Sequence, residues 1–327
     1  MADDASRQDA RDMFGFVIMS HRAPEQLLRL TRTLNLLYNG PPIACHHDFA
    51  QSPLDTSKFP SNVRFVEPSI TTAWGKWSLV EASLAALRLL YSSAEPQFFF
   101  LISAADYPTV GADQVRSDLL RAQSDAFIDS FALDAALNSK GEDGIEIGDQ
   151  HLAHHRAPHN LRLEQERYLR AQVKVPILRM RPPLHSTTKE RYPRLGRLTF
   201  ALPFDTPFSP FDANYSCYVG SQWFTANSKA AAHLLSPSAK DRHLMRYYRN
   251  RVIPDESYFQ TVLRNAADLR VKNRTYRYAF WHGAHPIDLD EEHFQSVVDS
   301  GAHFARKFRP GDPVLDMIDR YLGVQSA

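Results

Sequence analysis

The chain has 327 residues, 43% of them hydrophobic and 23% charged, which is enough apolar sequence for a sizeable core in one large α/β domain or two small ones. Its 38 Lys and Arg against 37 Asp and Glu leave a formal net charge of +1, which points away from a nucleic-acid binder or a protein held on a membrane by charge alone. Two distant cysteines, Cys45 and Cys217, exclude a disulfide scaffold or zinc ribbon, and no run approaches the roughly 20 apolar residues of a membrane span.

Residues 1–13 are polar and lack the apolar stretch of a signal peptide, so they read as a flexible tail on a cytoplasmic protein. The apolar run from Phe14 to Met19 predicts a buried strand ending at Ser20-His21. Pro24 then opens a helix in which Leu27, Leu30, Leu34 and Leu37 recur at helical spacing up to Asn39-Gly40. Residues 43–48 and 63–66 predict two more strands, and 78–91 a helix. The run from Phe98 to Ile102 predicts a fourth strand, which ends in Ser103-Ala104-Ala105-Asp106. Strands and helices alternating in this way imply an α/β fold with a mostly parallel sheet. Ligands of such sheets lie beyond the carboxyl ends of the strands, where Ser20, His21, His46, Asp48, Ser103 and Asp106 fall. Strand ends also meet polar turns for structural reasons alone.

Residues 134–216 differ, being rich in Pro, Arg and His, and read as long loops with a helix near 161–173 that carry acceptor specificity. His151, His154 and His155 have plausible ligand spacing, but no Cys or carboxylate is arranged around them as zinc requires, so no metal site is assigned. Order returns with a strand over 221–227, a helix over 228–235, and a helix opening at Pro254-Asp255-Glu256. No repeat or interdomain linker is evident, so 14–327 reads as one domain.

Pro254-Asp255-Glu256 reads two ways: as an acidic first turn with Asp255 near the N-cap, or as a helix start that presents Glu256 as a general base. Arg306-Lys307, between Phe304 and Phe308, is either a solvated pair or a clamp for a departing diphosphate. The tryptophans of Trp74-Gly75-Lys76-Trp77 are either packing anchors or sugar-stacking rings. A metal-holding DxD after the central strand is missing, since only Asp106 is acidic there, and Asp288-Leu289-Asp290 lies outside that context. No GxGxxG, P-loop or GxSxG occurs, which weakens the dehydrogenase, kinase and hydrolase readings.

Taken in order, these segments resemble the core-2/I-branching β-1,6-N-acetylglucosaminyltransferase family (glycosyltransferase family 14), which also holds peptide O-xylosyltransferases and plant glucuronosyltransferase-like enzymes. The residues that carry the resemblance include Phe16-Val17-Ile18-Met19-Ser20-His21, Cys45-His46-His47-Asp48, Trp74-Gly75-Lys76-Trp77-Ser78, Ser103-Ala104-Ala105-Asp106-Tyr107-Pro108, Gly220-Ser221-Gln222-Trp223-Phe224, Pro254-Asp255-Glu256 and Phe304-Ala305-Arg306-Lys307-Phe308. The resemblance implies a GT-A-like domain that transfers a sugar such as GlcNAc or xylose from a UDP-sugar to a glycan or glycoconjugate hydroxyl. Inversion at the anomeric carbon and no required metal or other cofactor are implied with it. By position, Glu256 corresponds to the catalytic base and Lys307, beside Arg306, to the basic contact of the donor diphosphate. Asp48 corresponds to a position near the uridine, and the His21 segment lines the same pocket. Arg277, with Arg274 as the alternative, is matched to the second diphosphate cation, while Trp77, Trp223 and Asp255 are assigned to the acceptor side. Without an anchor or many cysteines the chain looks like a bacterial-type cytoplasmic member, with peripheral membrane association left open. A non-catalytic nucleotide-sugar or carbohydrate-binding protein is the competing reading.

Overall fold

The computed structural model describes residues 13–133, 158–181, 192–282 and 285–324. Residues 1–12, which hold nearly all of the expected tail, lie outside the described residues, as do His151, His154 and His155.

Four strands that are apolar through most of their length set the frame: β1 (Phe14–Ser20), β2 (Ile43–His47), β3 (Val63–Phe65) and β4 (Phe98–Ser103). Every residue of β1 and β2 is buried, as expected of parallel strands covered on both faces. Next come β5 (Asp106–Pro108), β6 (Ala126–Phe127), β7 (Phe131–Ala132), β8 (Arg170–Arg181), β9 (Tyr192–Asp205) and β10 (Tyr218–Val219). They are followed by β11 (Phe224–Asn227), β12 (Val271–Lys272), β13 (Arg277–Ala279), β14 (Trp281–His282), β15 (His285–Pro286) and β16 (Phe304–Arg306). The central sheet runs β12-β6-β11-β4-β1-β2-β3; β11 is antiparallel to both its neighbours and the other pairings are parallel. The α/β fold with a mostly parallel sheet is therefore as the strand pattern predicts.

Side-chain alternation along β1 and β4 divides the core. Val17, Phe99 and Leu101 pack on one face, under the helices Trp77–Ser93, Ser228–Leu235 and Tyr258–Asn265. Phe16, Ile18, Phe100 and Ile102 pack on the other, under Pro24–Leu37 and Pro313–Tyr321. In Pro24–Leu37, Pro24 occupies the first turn, and the buried stripe Leu27, Leu30 and Leu34 faces the sheet. Burying one such leucine contributes about 1.5–3 kcal/mol. Among the described residues no helix is long and apolar enough to cross a membrane.

Three segments differ from the sequence-based expectation. The helix predicted over 161–173 is Pro158–Tyr168, and what reads as long loop continues as β8 paired antiparallel with β9. The β-branched Val173 and Val175 suit a pleated strand, where they pair with Phe200 and Leu198. The strand predicted over 221–227 begins only at Phe224, because Ser221 turns back to accept the Trp223 amide on its Oγ at 3.2 Å. The helix predicted at Pro254 splits into a 3₁₀ turn, Pro254–Glu256, and a helix, Tyr258–Asn265.

Candidate functional site

A cleft of about 1290 Å³ opens beyond the carboxyl ends of β1, β2 and β4. Ser20, His21 and Ser103 line it from these strand ends, joined by His46. Burial, then the neighbouring Arg22, hold the His21 imidazole below its usual value. Burial also lowers His46, whose Nε2 accepts the Ile70 amide at 3.0 Å and so carries no proton in that bond.

One wall is basic. β16 lies between β13 and β5, which puts Arg306 opposite Asp106 and Ala279, with Arg277 paired to Phe304. Arg306 Nε donates to Asp106 Oδ1 at 2.9 Å, and the guanidinium lies 4.8 Å from the Trp223 ring centre. Asp106 also accepts from the Ser103 amide and hydroxyl at 3.2 and 3.0 Å. Lys307 follows, half-buried in the cleft, its ammonium made more acidic by burial and then by Arg306. Arg277 is partly exposed, yet its Nε and Nη1 are enclosed and have no hydrogen-bond partner among the described residues. Its Nη2 is held by the carbonyls of Leu101 and Phe224, both at 3.2 Å. Burial lowers the guanidinium to about 10, so it stays charged at neutral pH. A cation left with two enclosed, unpaired N–H groups on a cleft wall is suited to an anion.

The same lining includes the carboxylates of Asp255 and Glu256. Ile253 has φ of 55°, a left-handed conformation that is strained for a β-branched residue and costs on the order of 1–3 kcal/mol. Its amide donates to Gly75 O at 3.0 Å and its carbonyl accepts the Tyr168 hydroxyl at 2.5 Å, so the Trp74-Gly75 turn and Tyr168 hold the strain in place. The chain then turns at Pro254, burying Asp255 and leaving Glu256 half-buried, with both lining the cleft. The Glu256 carbonyl accepts the Gly220 amide at 2.9 Å. Only glycine fits at 220, because a Cβ there would come within 1.9 Å of the Asp129 carbonyl oxygen.

Asp255 is not the helix N-cap that its sequence position suggests. Its Oδ1 is buried without a hydrogen-bond partner among the described residues, and burial, then Glu256, raise its carboxyl well above the usual range. The folded state therefore favours the protonated carboxyl. The resulting stability is fully present below the unfolded value and is lost as pH rises through the folded one. Asp255→Asn is accordingly expected to raise the melting temperature by a few degrees at pH 8.5, with the gain vanishing near pH 4. Thermal denaturation at the two pH values checks this, and a lower melting temperature at pH 8.5 would return Asp255 to a capping role.

Of the expected site residues, the cleft gathers Ser20, His21, Ser103 and Trp223 with Asp255, Glu256, Arg277, Arg306 and Lys307. Three stand apart from its lining. Asp48 is buried, accepting from Thr72 N and Oγ1 at 2.7 and 2.8 Å and from Gln51 at 2.6 Å, so it pins the 70–72 loop. Asp106 is consumed by Ser103 and Arg306. Trp77 packs edge-on against Tyr258 inside the core, and its exposed neighbour Trp74 lines the cleft instead. Arg274 lines the cleft too, its guanidinium 4.4 Å from the Tyr276 ring centre. Sequence reasoning missed Arg167 and Glu164, which form a 2.6 Å ion pair on the Pro158–Tyr168 helix. Burial works against the charge on Arg167, but Tyr168, Glu164 and Glu256 outweigh it and raise the group, and Arg167 in turn favours the ionised form of Asp255. The only signal was a helical stretch next to the basic middle region.

The family model described as "Branch: Core-2/I-Branching enzyme" matches residues 15–165 and 178–299, which is most of the chain. The chain belongs to the Core-2/I-branching enzyme family. This is a family of glycosyltransferases, and Glu256 and Arg277 fall inside the matched residues while Arg306 and Lys307 lie just beyond them. Among relatives of this Core-2/I-branching chain, Beta-glucuronosyltransferase GlcAT14C of Arabidopsis thaliana is 40% identical over 82 residues, covering 24% of the chain and 21% of that protein. Beta-glucuronosyltransferase GlcAT14B of the same plant is 33% identical over 114 residues, 33% of the chain and 26% of that protein. Xylosyltransferase 1 of Homo sapiens is 24% identical over 298 residues, 82% of the chain and 26% of that protein. The chain thus spans about a quarter of the length of the curated relatives it matches.

Proposed function

We propose that this chain is an inverting, metal-independent glycosyltransferase that moves a sugar from a UDP-sugar to a hydroxyl of a glycan or glycoconjugate in the cytoplasm. The observation that carries the reading is the make-up of the cleft's lining, in which Glu256 shares one cavity with Arg277, Arg306 and Lys307. The acceptor oxygen attacks the anomeric carbon, its proton passes to the Glu256 carboxylate, and the bond to the diphosphate oxygen breaks on the opposite face. UDP leaves with that electron pair, and fixed cations stabilise its growing charge in a partly dried site. Trp74 and Trp223 offer ring faces to the sugars.

Two further observations support the reading. The acidic group after β4, Asp106, is already neutralised by Arg306, so cations stand where a metal-dependent enzyme would hold its ion. Cys45 and Cys217, both buried and in no disulfide, fit a reducing compartment. The names of the relatives put UDP-glucuronate and UDP-xylose first among donors to try, with UDP-GlcNAc beside them. UDP release from this panel is expected to continue undiminished in EDTA. A loss in EDTA that manganese restores would overturn the metal-free mechanism, and UDP binding without release on any donor and acceptor pair would favour a non-catalytic binding protein.

A further inference from the structure

The β8–β9 hairpin combines two properties that a stably folded surface rarely leaves together. Its strands run for 12 and 14 residues, about 40 Å at ~3.3 Å per residue. They expose large apolar side chains: the register pairs Val173 with Phe200 and Val175 with Leu198 on one face, where they are 45%, 50%, 41% and 36% exposed, and Leu178, on the other face by alternation, is 74% exposed. The same strands carry six basic residues, Arg170, Lys174, Arg179, Arg181, Arg194 and Arg197, against one acidic residue, Asp205, in a chain of net charge +1. The charge is not spread evenly. Near the root, Arg170 is paired with Asp205 at 3.1 Å and Lys174 donates to the Asn250 carbonyl at 2.5 Å. Farther along, the register sets Arg179 opposite Arg194 and Pro176 opposite Arg197, with no acidic residue on either strand beside them.

We propose that this hairpin docks the protein on an anionic membrane surface, through its apolar face and the basic outer half of its strands. A bilayer bearing anionic headgroups supplies what both features need, phosphate oxygens for arginine and an apolar layer for Val, Leu and Phe. A neutral sugar chain would satisfy neither. The hairpin follows directly on the helix Pro158–Tyr168, whose Leu163, Glu164 and Arg167 line the cleft, so docking there would tether the cleft within about a hairpin's length of the lipid surface.

Sedimentation of the whole protein with vesicles tests this without turnover, and so independently of the proposed reaction. At low salt it is expected to pellet with phosphatidylcholine vesicles containing roughly 30% phosphatidylglycerol and not with phosphatidylcholine alone. Replacing Arg179 and Arg194 together by Ala is expected to weaken this about 30-fold, because each arginine near such a surface is worth roughly five-fold. Val173→Ser with Phe200→Ser, a cross-strand pair that is about half exposed, is expected to weaken it too, with the melting temperature of this variant within a few degrees of the wild type. No pelleting by the wild type, or equal pelleting by the variants, would overturn the proposal. A dimer in light scattering that either double variant dissolves would assign the face to a second copy of the chain instead.

Discussion

Glu256→Gln is expected to lower kcat by about 100- to 10,000-fold, with UDP affinity and melting temperature nearly unchanged. A sugar hydroxyl is a poor nucleophile at neutral pH, and a positioned base typically contributes a factor of this size. Glutamine keeps the length and polarity of the side chain on the Pro254–Glu256 turn, and the Gly220 amide bonds to the main-chain carbonyl of 256, which the substitution leaves in place. The half-buried carboxylate is thereby removed with little disturbance to the turn. Steady-state kinetics beside a UDP titration measure both quantities, and near wild-type turnover would place the base elsewhere.

Arg277→Met is expected to move two quantities in opposite directions. UDP affinity should fall by about 10- to 100-fold, because a charge-assisted hydrogen bond to phosphate is worth roughly 1.5–3 kcal/mol. The free protein should at the same time melt no lower, and be about 1 kcal/mol more stable, because methionine fills the site without leaving enclosed N–H groups unpaired. A purely structural arginine, held by Leu101 and Phe224, would give the reverse: a lower melting temperature and unchanged UDP affinity. Calorimetry and titration on the same preparation separate the two cases.

The sheet and its ligand-facing edge were legible because both follow from local pattern. Strands buried on both faces appear as apolar runs, and the polar residues that end β1 and β4 fall in the cleft wherever such strands stop. What was not legible depends on contacts far apart in sequence. Asp48 meets Thr72 only because the 70–72 loop folds back over β2, so its carboxylate looked available and is not. Asp255 looked like a capping residue because no sequence rule places Ile253 in a left-handed conformation; the strain is held by Gly75 and Tyr168, each far away in the chain. Pro176 and Gly196 interrupt the alternation of β8 and β9, which hid a hairpin among Arg-, Pro- and His-rich residues. Trp77, expected on the acceptor side, is interior for a similar reason, since only packing against Tyr258 decides which ring of the pair is buried.

The configuration of the first product tests the central claim most directly. A single displacement, with Glu256 as base and UDP leaving from the opposite face, must turn the α-linked sugar of the donor into a β-linkage. Proton NMR of the product at early times, with EDTA present, is therefore expected to show the β-anomer. An α-linked first product would contradict the account, because a single displacement from the face opposite the leaving group cannot retain configuration.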